Sequence, residues 1–189
     1  MCILLYTGRI SKDKNIDFLI NVFRQYILKN PKTALFMIGD GPYRKYCEEV
    51  LSGYTTAFFP GRLPRKLLQT YYSAADFFLF PSTTDTFGMS VLEALSCGLP
   101  TLCSPIGGPA ELVRNRELCA TLPLEEDRWV KKIDQQWKQY SDRSITQVRQ
   151  SCAHNMSLER GWEEVVRNYS FVREQLWCTQ TKKESLIKA

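Results

Sequence analysis

The stretch FFLFPSTTDTFGMSVLEALSCGLPTLC, Phe77 to Cys103, decides the fold. Its first four residues are uniformly apolar, which reads as a strand buried on both faces, and Pro81 with the polar residues behind it ends that strand. Met89 to Ser96 then reads as a helix opened by Gly88, and Thr101 to Cys103 as a second short buried strand. A strand, a helix and a strand in so few residues form one βαβ crossover, which is right-handed and makes its strands parallel.

The same alternation extends outward. Upstream, Ile3 to Thr7 reads as a strand, and Ile16, Leu19, Ile20, Phe23 and Ile27 recur at helical spacing, with Asn15 placed to cap and Pro31 just past the end. Ala34 to Ile38 and Thr56 to Phe59 read as strands, Tyr43 to Leu51 and Arg65 to Ala74 as helices, and Cys119 to Leu122 as a sixth short strand. Beyond Leu124 the pattern turns helical. One stripe is Trp129, Val130, Ile133, Trp137 and Tyr140, and a shorter one is Ile145, Val148 and Cys152. Ser157 can cap a final helix carrying Leu158, Trp162, Val165, Val166, Tyr169, Val172 and Leu176, and from Cys178 the chain is polar and expected to fray. The expected architecture is α/β: a Rossmann-like parallel sheet flanked by helices, with a helical carboxyl-terminal tail and no internal repeat.

Composition bounds the function classes. With 189 residues and 44% hydrophobic side chains, the chain can bury a core without a disulfide or metal staple and is not intrinsically disordered. No apolar run approaches the ~20 residues of a membrane helix, and none near the start is long enough for a secretory signal, so a cytoplasmic location is expected. The seven cysteines form no Cys-x-x-Cys pair and have one His to accompany them, so they read as buried thiols in a reducing compartment, with no metal site. A net charge of +5 is too small and too dispersed for nucleic acid, though it tolerates an anionic ligand.

In open parallel sheets, ligands bind beyond the carboxyl ends of the strands. Five expected strands each reach a glycine there: Gly8, Gly39 with Gly41, Gly61, Gly88, and Gly107 with Gly108. Such a series makes a floor of bare backbone that a ligand can approach. Arg9 and Lys14 follow the first strand, while Asp85 and Glu93 flank the turn after the fourth. Two cations and the helix terminus at Gly88 suit a diphosphate, and the carboxylates suit sugar hydroxyls. The ligand that carries both parts is a nucleotide sugar.

Several segments resemble one family. Tyr6-Thr7-Gly8-Arg9-Ile10-Ser11-Lys12-Asp13-Lys14-Asn15 resembles the opening of the carboxyl-terminal domain in retaining GT-B glycosyltransferases of family 4. Gly39-Asp40-Gly41-Pro42, Ser73-Ala74-Ala75-Asp76, Phe80-Pro81-Ser82, Asp85-Thr86-Phe87-Gly88, Leu92-Glu93-Ala94, Gly98-Leu99-Pro100 and Gly107 to Val113 resemble its later motifs in order. The resemblance implies metal-independent sugar transfer from a nucleoside-diphosphate donor, with no further cofactor. It assigns Arg9 and Lys14 to the leaving diphosphate, Glu93 to the ribose and Asp85 to the donor sugar. The backbone of Phe87, Gly88 and Met89 would face the sugar and phosphates, and Gly61, Arg62 and Leu63 would lie beside the base; Gly8, Gly39 and Asp40 complete the candidate donor-binding residues. Position 85 carries Asp where the family usually has Glu, a side chain shorter by about 1.5 Å, a displacement of the size that can matter to catalysis.

The family's amino-terminal domain binds the acceptor and supplies a catalytic His. This chain begins almost on the first strand of the donor domain, so residues 1 to 177 are expected to be the donor-binding half, needing a missing acceptor domain or a separate subunit. Peripheral membrane association would come through that partner. His154 reads as a surface or packing residue, as do Tyr71-Tyr72 and Phe77-Phe78 for packing. Arg62, Arg65 and Lys66 read as a solvated loop that reaches the pocket mouth in one reading. The alternatives are a non-catalytic nucleotide-sugar-binding scaffold of the same fold and a nucleotide-sugar epimerase fragment. A glycosidase pair at Asp85 and Glu93 conflicts with the nearby cations, and a nicotinamide enzyme lacks the third glycine after Gly39 and Gly41.

Overall fold

In the computed structural model the described residues are 1–114, 118–140, 149–150 and 153–154. All but His154 belong to a compact unit, Met1–Ala153; His154 opens a second unit and is exposed. Six strands, β1 (Cys2–Thr7), β2 (Thr33–Ile38), β3 (Ala57–Gly61), β4 (Phe77–Phe80), β5 (Thr101–Cys103) and β6 (Ala120–Thr121), form one parallel sheet in the order β3-β2-β1-β4-β5-β6. Helices α1 (Ile16–Lys29), α2 (Arg44–Val50), α3 (Arg65–Ala74), α4 (Met89–Ser96), α5 (Gly108–Val113) and α6 (Glu126–Tyr140) separate and follow them.

The chain builds from β1 outward to β3, then returns to place β4 on the other side of β1. Beyond the carboxyl ends of β1 and β4 the connections therefore diverge and leave a crevice, the usual ligand position in such sheets. The central strands are continuous apolar runs because helices cover both faces: every residue of β4 is buried, as is all of β1 except the half-buried Ile3. β3 differs because it lies at the edge, pairing with β2 alone among the described residues. Its residues alternate in burial, Phe58 is exposed, and the register slips by one residue between Phe36 and Ile38. Pro60, which has no N–H to donate, sits at that slip, a position that an edge strand tolerates.

The expected bounds match the structure for α3, β4, α4 and β5. β3 starts one residue later than expected and runs on to Gly61. Asn15 corrects part of an expectation: it holds the N-cap position of α1 and its carbonyl accepts the Leu19 N–H at 3.3 Å, but its side chain does not cap the helix. It follows a 3-10 turn (Lys12–Lys14) and adopts the left-handed conformation (φ 54°), whereas a capping residue is extended. Its side-chain amide instead donates to the carbonyl of Pro81 (3.0 Å) and to Thr83 Oγ1 (3.4 Å), tying the loop after β1 to the loop after β4. A second tie joins the amino ends of the same strands, where the Asp76 carboxylate accepts the Ile3 N–H at 2.8 Å. Burial holds that carboxyl above the usual carboxylate range.

α6 covers α1. Phe18 meets Trp129 edge-on at 5.1 Å, and the indole N–H of Trp129 donates to the Pro123 carbonyl at 2.9 Å. Trp129, Val130 and Ile133 are buried as the stripe predicts, Trp137 is half-buried, and Gln136 is also buried, donating to the Leu118 carbonyl. The stripe of Ile145, Val148 and Cys152 and the helix expected from Ser157 lie outside the described residues. Cys2, Cys47 and Cys103 are buried free thiols, which desolvation raises to about 12. No described helix is long and apolar enough to cross a membrane.

Candidate functional site

The loops after β1, β2 and β3 continue the sheet's parallel ladder past the strands. The N–H of Gly8 donates to Ile38 O (3.0 Å), that of Gly39 to Gly61 O (2.9 Å) and that of Ile10 to Asp40 O (3.0 Å). These bonds bring the two backbones so close that a methyl on Gly39 (φ 141°) would overlap the Gly8 carbonyl. The Tyr6 hydroxyl, beneath this turn, donates to the Arg9 carbonyl at 2.8 Å. The backbone that presents Arg9 is thus pinned from below and from the side, while its side chain is exposed and hydrogen-bonds no other described residue.

Across the crevice, the loop after β4 is shaped by Gly107 and Gly108. A side chain on either would collide with the Asp85 or Thr86 carbonyl, so those two glycines serve packing of the loop. Gly88, in the left-handed conformation (φ 85°), starts α4 against Pro109. Among the described residues no side chain caps α4, and no acidic residue stands in its first turn, which leaves its first N–H groups for an anion.

Between these walls lies a cleft of about 990 Å³. Of the residues picked out from sequence, Gly8, Arg9, Gly39, Asp40, Arg62, Leu63, Asp85, Phe87, Gly88, Met89 and Glu93 line it. Two do not. Gly61 uses its carbonyl on Gly39, and the room left by its missing side chain faces the Arg44 guanidinium. Lys14 is mostly buried, and its ammonium binds Asp85 Oδ2 (2.8 Å) and Thr84 Oγ1 (3.0 Å). The expected floor of bare backbone is therefore made by the glycines of the first two loops and Gly88.

Each carboxylate is held. Asp85 Oδ2 accepts from Lys14 and in a short hydrogen bond from Ser82 Oγ, which fixes the shorter side chain against the cleft wall. Glu93 Oε2 accepts from the Tyr72 hydroxyl at 3.0 Å, and the Tyr72 oxygen lies 2.6 Å from Thr7 Oγ1. At the mouth, Asp40 accepts its neighbour Gly41's N–H (2.9 Å), and Arg62 Nε stands 4.0 Å from Asp40 Oδ2 with both exposed. Tyr72 and Ser82 are the residues that sequence reading missed. Both read as packing or strand-end residues until their hydroxyl partners, brought in from other elements, are seen.

The β1 side of the cleft thus offers a guanidinium, and the β4 side offers the α4 N–H groups and two oriented carboxylates. That division can grip an anion and a hydroxyl-bearing ring together. Known proteins agree with this reading of the fold. The chain is 34% identical over 111 residues to the sulfoquinovosyl transferase SQD2 of Arabidopsis thaliana, a match covering 59% of this chain and 21% of that one. It is 35% identical over 102 residues to an alpha-monoglucosyldiacylglycerol synthase of Streptococcus pneumoniae, covering 52% and 23%. It thus spans about a fifth of the length of these relatives. Anabaena HepE, solved in complex with UDP and glucose, superposes with a TM-score of 0.70 at 22% identity, over 92% of this chain and 47% of that one, and shares its fold. The family model for glycosyl transferases group 1 matches residues 2–152, most of the chain, and the protein therefore belongs to the glycosyl transferases group 1 family.

Proposed function

We propose that this unit is the donor-binding half of a retaining GT-B glycosyltransferase of family 4, moving a hexose-type sugar from a nucleoside-diphosphate sugar to an acceptor. The observation that carries this reading is the convergence of Arg9, Asp85, Glu93 and the start of α4 on one cleft at the sheet's switch point. Arg9 and the α4 N–H groups neutralise the departing diphosphate, with Lys14 joining from beside Asp85. Asp85 takes hydroxyls of the donor sugar and Glu93 those of the ribose, and Leu63 and Arg62 border the base. Charge grows on the leaving phosphate and on an oxocarbenium-like sugar, so fixed cations and dipoles stabilise the transition state more than the ground state. No metal enters these roles. The acceptor and a catalytic His would come from a second domain or subunit, in keeping with the small share of its relatives that the chain spans.

The test is thermal unfolding of the full chain with UDP, GDP and ADP. A nucleoside diphosphate at 100 times its dissociation constant is expected to add ~2.7 kcal/mol of apparent stability, or about 5–10 °C in melting temperature for a chain of this size. No shift with any of the three would count against donor binding. Binding without transfer or donor hydrolysis, whatever acceptor-binding half is added, would favour the non-catalytic reading.

A further inference from the structure

The inference concerns Tyr72, on α3, and it rests on the donor-binding reading only in naming what Glu93 holds. Tyr72 is 2% exposed, and its ring is locked edge-on against Phe78 of β4 at 5.7 Å. Its hydroxyl has one proton. Donating that proton to Glu93 Oε2 at 3.0 Å obliges Thr7 Oγ1, 2.6 Å away, to donate to the Tyr72 oxygen. The direction of the chain is therefore set: Thr7 to Tyr72 to Glu93. Thr7 immediately precedes the Gly8-Arg9 turn, and Glu93 lies on α4, so one phenol bridges the cationic wall and the carboxylate wall.

The backbone under Tyr72 is fixed as well. The Arg149 guanidinium donates to the carbonyls of Tyr72 (3.1 Å), Ser73 (3.1 Å) and Ala75 (2.9 Å), holding the last turn of α3 in place. Burial, and beyond that the neighbouring Glu93 carboxylate, keep the phenol protonated far above neutrality, so it remains a donor throughout the working range. Glu93 itself is half-buried and open to the cleft; the bond from Tyr72 occupies one oxygen and leaves the other to face a ligand.

We infer that Tyr72 is a positioning residue: it orients the Glu93 carboxylate and sets its distance from the Arg9 turn, so that hydroxyl and anion recognition lie in one fixed geometry. Tyr72→Phe removes only the hydroxyl. On the full chain it is expected to weaken calorimetric binding of UDP, GDP or ADP, whichever binds best to the wild type, by about tenfold. Inorganic pyrophosphate, which has no ribose, is expected to bind the variant within about twofold of wild type, whereas general loosening of the unit would weaken both probes. Thr7→Val is expected to act in the same direction with a smaller effect. In a Glu93→Ala background, Tyr72→Phe should cost nothing further, because the group it orients is gone.

A readout without ligand separates this inference from the donor-binding reading. In crystals of Tyr72→Phe, the Glu93 carboxylate should leave its wild-type place or split over rotamers while the backbones of Thr7 and Met89–Ser96 superpose. A carboxylate that stays in place, or equal losses for nucleotide and pyrophosphate, would overturn the positioning role. Failure of the wild type to bind any of the three nucleotides would instead overturn donor binding, and Tyr72 would then be judged on the crystal comparison alone.

Discussion

Arg9→Ala is expected to weaken nucleoside-diphosphate binding by about 10- to 100-fold, the loss that follows removal of a hydrogen bond to a charged group. On the proposed donor-binding reading it should also lower the rate of sugar transfer by about 100- to 1000-fold, since charge on the leaving phosphate grows as the bond breaks. Thermal stability should hardly change, because the side chain is exposed and hydrogen-bonds no other described residue. Calorimetry with UDP, GDP and ADP, together with a melting curve, separates the two effects. Unchanged affinity at unchanged stability would place the diphosphate away from this turn.

Gly39→Ala should do the opposite, acting on stability before it touches any ligand. At φ 141° an alanine is strained, and its methyl would overlap the Gly8 carbonyl, a backbone atom that cannot swing aside. Relief requires parting the two loops and giving up the hydrogen bonds that join them. The expected cost is about 4 kcal/mol or more, a large part of the roughly 5–15 kcal/mol that holds a domain folded. Urea unfolding reads it directly. Gly53→Ala is the control: nothing lies within 4 Å of an added methyl there, and the change is expected to stay within ~0.5 kcal/mol. A cost at Gly39 below about 1 kcal/mol would mean that the loops are not clamped as described.

The sheet was legible from the chain because its signal is local. Short, mostly apolar runs flanked by Pro, Gly and polar residues read as buried strands, and Phe77–Phe80 and Thr101–Cys103 occupy the expected residues. The lining of the site was legible for a related reason: Gly8, Gly39 and Gly88 announce themselves as residues that sit where a side chain would be strained or would clash. What stayed hidden depends on partners far along the chain. Asn15 has the chemistry of a cap, and only the left-handed turn at φ 54° diverts its amide to Pro81. Tyr72 belongs to the apolar pattern of α3, and nothing at neighbouring positions reveals that Thr7 and Glu93 meet its hydroxyl. Gly61 and Gly107 carry the same local signal as Gly39, yet they do not line the cleft, a distinction that requires the packed fold.

The Lys14–Asp85 contact has a consequence for how affinity responds to ionic strength. The ammonium already has a counter-ion in the ligand-free chain, 2.8 Å away and largely shielded from water. On the proposed reading an arriving diphosphate meets the exposed Arg9 guanidinium, while Lys14 trades a carboxylate for a phosphate or is shared between them. Mobile salt competes strongly for the first of these and weakly for the second. Raising sodium chloride through the physiological range should thus erode nucleotide affinity gently, as for a single exposed guanidinium.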